Sequence, residues 1–337
     1  VITRLYSAHS IGPYPTQIKA NDYVLGTRTY DAFMRISSTT VGGRTERFTY
    51  ERGRGEPSSK TCASGKIIHF TLDPVCKGEV ARRSVEGYSD LTTTFNRASP
   101  HDELLQASNP YSQENLSYFA SGKLKSKEHV IGEALFESSY TYSLLGKPIN
   151  FTDITGGVRH SRYDAYGRLS EVEQGPVKSA YGYDARGALK TLSVNDTQAG
   201  RRLVTERVHH DFAREIRRTF ILEHDRRLVL EQAFTAQDKL QRRTLSDGPA
   251  VLRDEAYEYD TRGRLKRYTC SGPQAPVDPL GNVLVSQDYV YDYLDNIRSL
   301  TTRFEDSEDV TTFGYDYIDR TQLSQLTHSH PDYSSLD

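Results

Sequence analysis

The sequence predicts an all-β fold: a large, curved antiparallel sheet built from irregular β-hairpins. Three observations predict it. A Tyr-Asp-x-x-Gly-Arg-Leu element recurs along the 337 residues. Apolar residues make up 36%, with few aliphatic runs, which is thin for a two-layer core. The 23 Tyr and 12 Phe nevertheless supply large surfaces to bury, which argues against disorder and suits strands.

The repeats carry most of the weight. Tyr163-Asp164-Ala165-Tyr166-Gly167-Arg168-Leu169 is followed twenty residues later by Tyr183-Asp184-Ala185-Arg186-Gly187-Ala188-Leu189. Tyr259-Asp260-Thr261-Arg262-Gly263-Arg264-Leu265 repeats the pattern. Tyr291-Asp292-Tyr293-Leu294-Asp295-Asn296-Ile297 and Tyr315-Asp316-Tyr317-Ile318-Asp319-Arg320 carry Asp in the glycine slot. Weaker copies begin at Tyr30-Asp31, Tyr142 and His210-Asp211. The spacing between copies is uneven.

Each part of the element has a physical reading. Tyrosines two apart, such as Tyr181 with Tyr183 and Tyr257 with Tyr259, share one face of a strand. The Asp opens a four-residue turn, where its carboxylate accepts a backbone N–H two residues on. Gly at the fourth position supplies the left-handed residue that closes a hairpin with a bulge. Asp tolerates that conformation, which accounts for Asp295 and Asp319 in the slot. Arg-Leu then starts the returning strand.

The remaining segments fit the same scheme. Thr219–Glu223 and Leu228–Glu231 read as strands around His-Asp-Arg-Arg. Arg201–Arg218, long, charged and free of Gly and Pro, also fits a helix, but the flanking hairpins favour strands. Pro/Gly clusters at 272–281 and 53–57 mark loops. Residues 1–140 hold degenerate repeats that continue the sheet or form a cap or plug; residues 141–337 are the clear repeat region. One hairpin is marginal in water, so a row of them stacks into a sheet with much solvated surface and unpaired ends. The repeats are too short and uneven for propeller blades. The chain starts at Val1, its one Met being Met34, and reads as a piece of something longer or a processed product.

Composition excludes several functions. With 43 Lys plus Arg against 45 Asp plus Glu, the net charge of -2 lacks the basic excess of a nucleic-acid protein. No apolar stretch approaches the roughly 18–20 residues of a membrane helix. Cys62, Cys76 and Cys270 form no C-x-x-C pair; a Cys62–Cys76 bridge stands beside reduced thiols as the alternative. No nucleophile elbow, phosphate loop or H-E-x-x-H is present. His209-His210-Asp211, with His224 and Asp225, is the densest metal-like cluster, but adjacent strand residues point to opposite faces. His328 and His330 share a face without a visible third ligand and read as a solvated strand end. Asp164, Asp184 and Asp260 recur as turn residues rather than converging as catalytic carboxylates. The arginine pairs 201–202, 217–218, 226–227 and 242–243 are interleaved with acids and read as solvated strand faces. No catalytic residue, cofactor or metal is called for.

The signature resembles the YD repeats of the Rhs family. The later part of the chain resembles the shell-forming B/C components of bacterial insecticidal Tc toxin complexes, on Val277-Asp-Pro-Leu-Gly-Asn282, Tyr291–Ile297 and Thr321–Tyr333. The resemblance covers about residues 140–333; animal teneurins share the repeats, but the tail favours the bacterial group. It implies a non-catalytic segment of a hollow shell, secreted or exported from a bacterium. The partners it implies are the remainder of the shell, an enclosed C-terminal toxin polypeptide and a delivery apparatus such as a Tc translocation pore. Asp278-Pro-Leu-Gly281 is superficially like the family's D-P-x-G cleavage element, but it precedes further repeats and reads as a proline turn. The alternative reading is a carbohydrate or cell-surface binding module that uses exposed Tyr rows.

Overall fold

The computed structural model describes residues 2–6, 14–75, 78–98, 102–210 and 214–335. The chain divides into two compact units: Val1–Val158 with Tyr317–Arg320, and Arg159–Asp316 with Thr321–Asp337. Among the described residues there are 28 β-strands and a single 3-10 turn, Glu223–Asp225. The fold is therefore all-β, as the repeats predict.

In the first unit the strands run from Ile2–Leu5 to Pro148–Thr152 as an up-and-down meander, each pairing antiparallel with its sequence neighbours. The second unit is by itself an antiparallel up-and-down meander that ends at Leu323–Thr327. No described pairing within either unit joins its first strand to its last, so both meanders are open. The segment that also fitted a helix is a hairpin, Arg201–His209 with Glu215–Ile221. Its register sets Thr205 opposite Phe220 and Val204 opposite Ile221, so pairing overrides any helical tendency of the charged run.

The sheets are thin. Tyr268, Cys270 and Phe304 are the buried apolar residues among those described, and no side chain there is fully enclosed. Stability must therefore come from the backbone ladder and from cross-strand pairs, each worth roughly 0.2–1 kcal/mol. Registered hydroxyl pairs repeat: Thr29–Ser38 at 2.6 Å, Thr40–Thr45 at 2.8 Å, Thr49–Ser59, Thr94–Ser108 and Ser117–Ser126 at 2.7 Å. Aromatic pairs do the same at Tyr140–Phe151, with ring centroids 5.0 Å apart, and Tyr257–Tyr268, 5.3 Å apart.

Candidate functional site

The recurring element gathers on one edge of each meander. In an up-and-down sheet, alternate connections leave from the same edge. In the first unit the turns Tyr30–Ile36, Tyr50–Pro57, Tyr118–Leu124 and Tyr142–Pro148 all do so. In the second unit this edge carries the turns after Tyr163, Tyr183, Phe234, Tyr259, Tyr291 and Tyr315.

The turn itself is built around the Asp. Asp164 Oδ1 accepts the backbone N–H groups of Tyr166 and Arg168, both at 2.9 Å, and Asp164 Oδ2 accepts Arg168 Nε at 2.7 Å. The Gly167 N–H donates to the Asp164 carbonyl, and Gly167 has φ +73°. Asp260 repeats this arrangement with Arg262, Arg264 and Gly263. Asp184 accepts from Arg186 and Ala188, with Gly187 at φ +87°. Asp292 accepts from Leu294 and Asn296, and Asp295 takes the left-handed slot at φ +71°. Asp31, Asp153 and Asp278 hold turns of the same kind. In the turns after Phe234 and Tyr142, the hydroxyls of Thr235 and Ser143 stand in for the carboxylate. Burial pushes the Asp164 and Asp260 carboxyls up, but the turn amides and the arginine outweigh it and hold both below the usual carboxylate range. At Asp184 the Ala188 amide is the leading cause of the same lowering.

The last turn departs from expectation. Asp316 N–H pairs with the Gln322 carbonyl, so that loop is two residues longer than the others. Asp319 is not left-handed, because the longer loop does not need it there. It is buried and takes an ion pair from Arg44 inside the first unit.

Successive turns are linked, through two contacts that the sequence alone does not reveal. The tyrosine that begins one turn donates its hydroxyl to the carbonyl at the start of the returning strand of the previous hairpin. The pairs are Tyr50 to Ile36 at 2.8 Å, Tyr118 to Leu104 at 2.9 Å and Tyr142 to Leu124 at 3.0 Å in the first unit. In the second unit they are Tyr183 to Leu169 at 2.7 Å, then Tyr259 to Leu240, Tyr291 to Leu265 and Tyr315 to Ile297, each at 2.8 Å. The basic residue after the glycine slot then lies over the next tyrosine ring. Arg35 sits 4.3 Å from the Tyr50 centroid, Arg168 4.3 Å from Tyr183, Lys239 4.9 Å from Tyr259 and Arg264 4.5 Å from Tyr291. Each Tyr-Asp-Arg set thus braces its own turn and the next. Tyr183→Phe keeps the ring under Arg168 but strands the Leu169 carbonyl. It should lower stability by about 1 kcal/mol in urea unfolding, with raised hydrogen exchange confined to the turns at 164–169 and 183–189.

Two buried polar clusters in the second unit were not anticipated. Glu255 is 3% exposed; Arg243 grips it with Nε to Oε2 at 2.6 Å and Nη2 to Oε1 at 2.8 Å, and Tyr268 Oη donates to Oε1 at 2.9 Å. Arg253 adds a third contact. Burial alone would raise the Glu255 pKa, but these donors lower it; the Tyr257 hydroxyl is pushed up to about 12 by burial and by the Glu255 charge. Arg243 is therefore not on a solvated face, as its arginine pair suggested: the register places it opposite Glu255.

The second cluster centres on Asp309, 4% exposed. It accepts His328 Nδ1 at 2.8 Å, Thr311 Oγ1 at 2.7 Å and the Ser329 and His330 amides at 3.0 Å. Tyr333 lies against both His328 and His330 and donates its hydroxyl to Asp278. The two histidines are thus packed rather than solvated, because this segment folds back onto Asp309. Asp278, Asp309, Thr311, His328 and Tyr333 line a cavity of about 300 Å³ with Gln287, Thr302 and Phe304. Burial raises the Asp278 carboxyl, but Tyr333 and Asn282 overcome it and bring it to about 2; Asp309 is also lowered, with His328 the leading donor against burial. A depressed folded-state pKa adds stability above the unfolded value, near 4, that is lost as pH falls toward the folded one. Acidification from pH about 4 to about 2 should therefore release residues 328–333, read as a loss of protection of the Ser329 and His330 amides relative to their intrinsic exchange rates at each pH.

Among the described residues no group of three or more His, Cys, Asp or Glu side chains is arranged to hold a metal ion. Cys76 of the considered bridge and Asp211 of the considered metal cluster lie outside the described residues. Among the described residues no helix is long and apolar enough to cross a membrane.

No family model and no curated protein matches the chain. Solved structures do match its fold. The TcdB2–TccC3–Cdc42 crystal structure aligns with a TM-score of 0.62 at 14% identity, over 98% of this chain and 18% of that one. The Tc holotoxin pore of Photorhabdus luminescens aligns with a TM-score of 0.62 at 15% identity, over 98% of this chain and 17% of that one. TcdB2–TccC3 gives a TM-score of 0.60 at 14% identity over 91% of this chain. The chain thus has the fold found in part of these Tc toxin structures and spans less than a fifth of their chains.

Proposed function

We propose that the chain is a section of the β-sheet wall of an Rhs or Tc-type toxin shell, and that its work is to enclose a polypeptide rather than to catalyse a reaction. The observation that carries this reading is a thin all-β meander, matched over 98% of its length by Tc toxin structures. A wall must be continuous and chemically quiet. The turn edge serves the first need by bracing each hairpin on the next. The second is served because the repeat carboxylates are spent on their own turn amides. The repeat tyrosines likewise spend their hydroxyls on carbonyls and carry a cation over one ring face, which leaves little for stacking sugars.

The partners in this reading are the rest of a shell, an enclosed toxin polypeptide and a delivery apparatus; the setting is an exported bacterial toxin complex. Limited proteolysis of a full-length product carrying this chain tests it. The enclosed segment should resist protease until the wall is opened by Gly187→Val with Gly263→Val. An enclosed segment cleaved equally fast with and without the intact wall overturns the proposal.

A further inference from the structure

Five neighbouring strands of the second unit carry one unbroken row of facing side chains: Arg201–His209, Glu215–Ile221, Arg227–Phe234, Leu240–Asp247 and Ala250–Tyr259. Arg207 stands opposite Arg218, Arg218 opposite Leu230, Leu230 opposite Leu245, and Leu245 opposite Arg253. Directly opposite residues share a face, so the row reads cation, cation, apolar, apolar, cation along one side of the sheet. Like charges set directly opposite each other repel, so Arg207 and Arg218 need an anion beside them.

The anions present are too few. Arg218 takes Glu215 in both arms, Nε to Oε1 at 2.7 Å and Nη2 to Oε2 at 2.9 Å, which leaves Arg207 a 3.3 Å contact through Nε. Arg243 takes Glu255 in the same two-armed way, and Arg253 Nε lies 3.3 Å from Glu255 Oε2 without being aligned on it. Arg207 Nη1 and Arg253 Nε are therefore buried with no hydrogen-bond acceptor. Such donors carry a desolvation cost that an arriving carboxylate would offset. On the other side of the same strands the pairing is one to one, Arg217 with Glu231 and Arg242 with Asp254. The row is within reach of a ligand, since the Arg218 and Arg253 side chains are 34% and 30% exposed.

We infer that this row is a binding site for an extended acidic polypeptide. Neighbouring strands lie roughly 4.8 Å apart, so Arg207 and Arg253, four strands apart, are separated by about 19 Å. An extended chain rises about 3.3 Å per residue and covers that span in about six residues, which returns its side chain to the same face. One carboxylate then meets Arg207, the second, six residues on, meets Arg253, and apolar side chains between them lie on Leu230 and Leu245. The site does not depend on what the sheet encloses.

Fluorescence anisotropy of the full chain with the dye-labelled peptide Thr-Glu-Thr-Val-Thr-Val-Thr-Glu-Thr tests it. This peptide should bind at least about tenfold more tightly than the same peptide with Gln for both Glu, and the advantage should shrink as salt is raised. Arg207→Gln and Arg253→Gln should each weaken binding at least about fivefold. Neither should lower the urea midpoint, because Glu215 keeps Arg218 and Glu255 keeps Arg243. Arg217→Gln, on the other face, should leave binding unchanged. Absence of binding, equal affinity for the Glu and Gln peptides, or wild-type affinity in both row variants overturns the inference. So does a midpoint that falls in both of them, since the two arginines would then serve the sheet itself.

Discussion

Arg243→Met lowers the stability of the sheet around Glu255 by about 2–3 kcal/mol. Removing one partner of a wholly buried ion pair costs roughly 3–5 kcal/mol, because the remaining charge is left without compensation. Glu255 meets that condition at 3% exposure, but the Arg243 side chain is 33% exposed, so the cost falls below the full range. Arg253 and Tyr268 stay in place and temper it further. Urea unfolding gives the magnitude, and hydrogen exchange places it on the strands Leu240–Asp247, Ala250–Tyr259 and Leu265–Ser271. Adding Glu255→Gln to the variant should restore part of the loss, since the stranded charge is then gone. An unchanged midpoint in Arg243→Met, or a double variant worse than the sum of the singles, contradicts the assignment.

Gly187→Val and Gly263→Val each destabilise their hairpin by about 1–3 kcal/mol. Both glycines are left-handed, at φ +87° and +81°, a conformation that a β-branched residue resists. At Gly263 the new side chain also meets the Lys239 ammonium, which the neighbouring turn holds over Tyr259. Gly263 should therefore be the more costly of the two, with the disturbance reaching the turn at 235–239. At Gly187 the nearest atom is Arg168 Nη1, 3.6 Å from the new Cβ, so strain dominates. Gly187→Asn should lose much less than Gly187→Val, because Asn tolerates the left-handed region. Equal losses for Asn and Val would mean that backbone conformation is not the cause.

What the sequence made legible follows from range. The Asp-to-Gly turn is local: its donors and acceptors lie within four residues, so Asp164, Asp184, Asp260 and Asp292 could be placed from spacing alone. The strand assignment rested on the same repeats. The bracing between turns was not legible, because Arg168 and Tyr183 meet only once two strands and a connection have been laid in register. The Arg243–Glu255 pair is set by cross-strand register, so an arginine pair that looked solvated from charge patterning is half enclosed. His328 lies nineteen residues from Asp309, and a fold-back after the last strand, rather than strand alternation, brings them together. At Asp319 the motif misled, since two extra residues before the ladder resumes remove the need for a left-handed position.

The central claim is that each Tyr-Asp-Arg set braces the next turn as well as its own. A double-mutant cycle on Arg168 and Tyr183 tests it most directly, with Arg168→Ala, Tyr183→Leu and the pair compared by urea unfolding. The ring and guanidinium are 4.3 Å apart across successive turns, so the cycle should return a favourable coupling of about 0.5–1 kcal/mol. Losses that add with no coupling would show that the turns stand independently and would contradict the account.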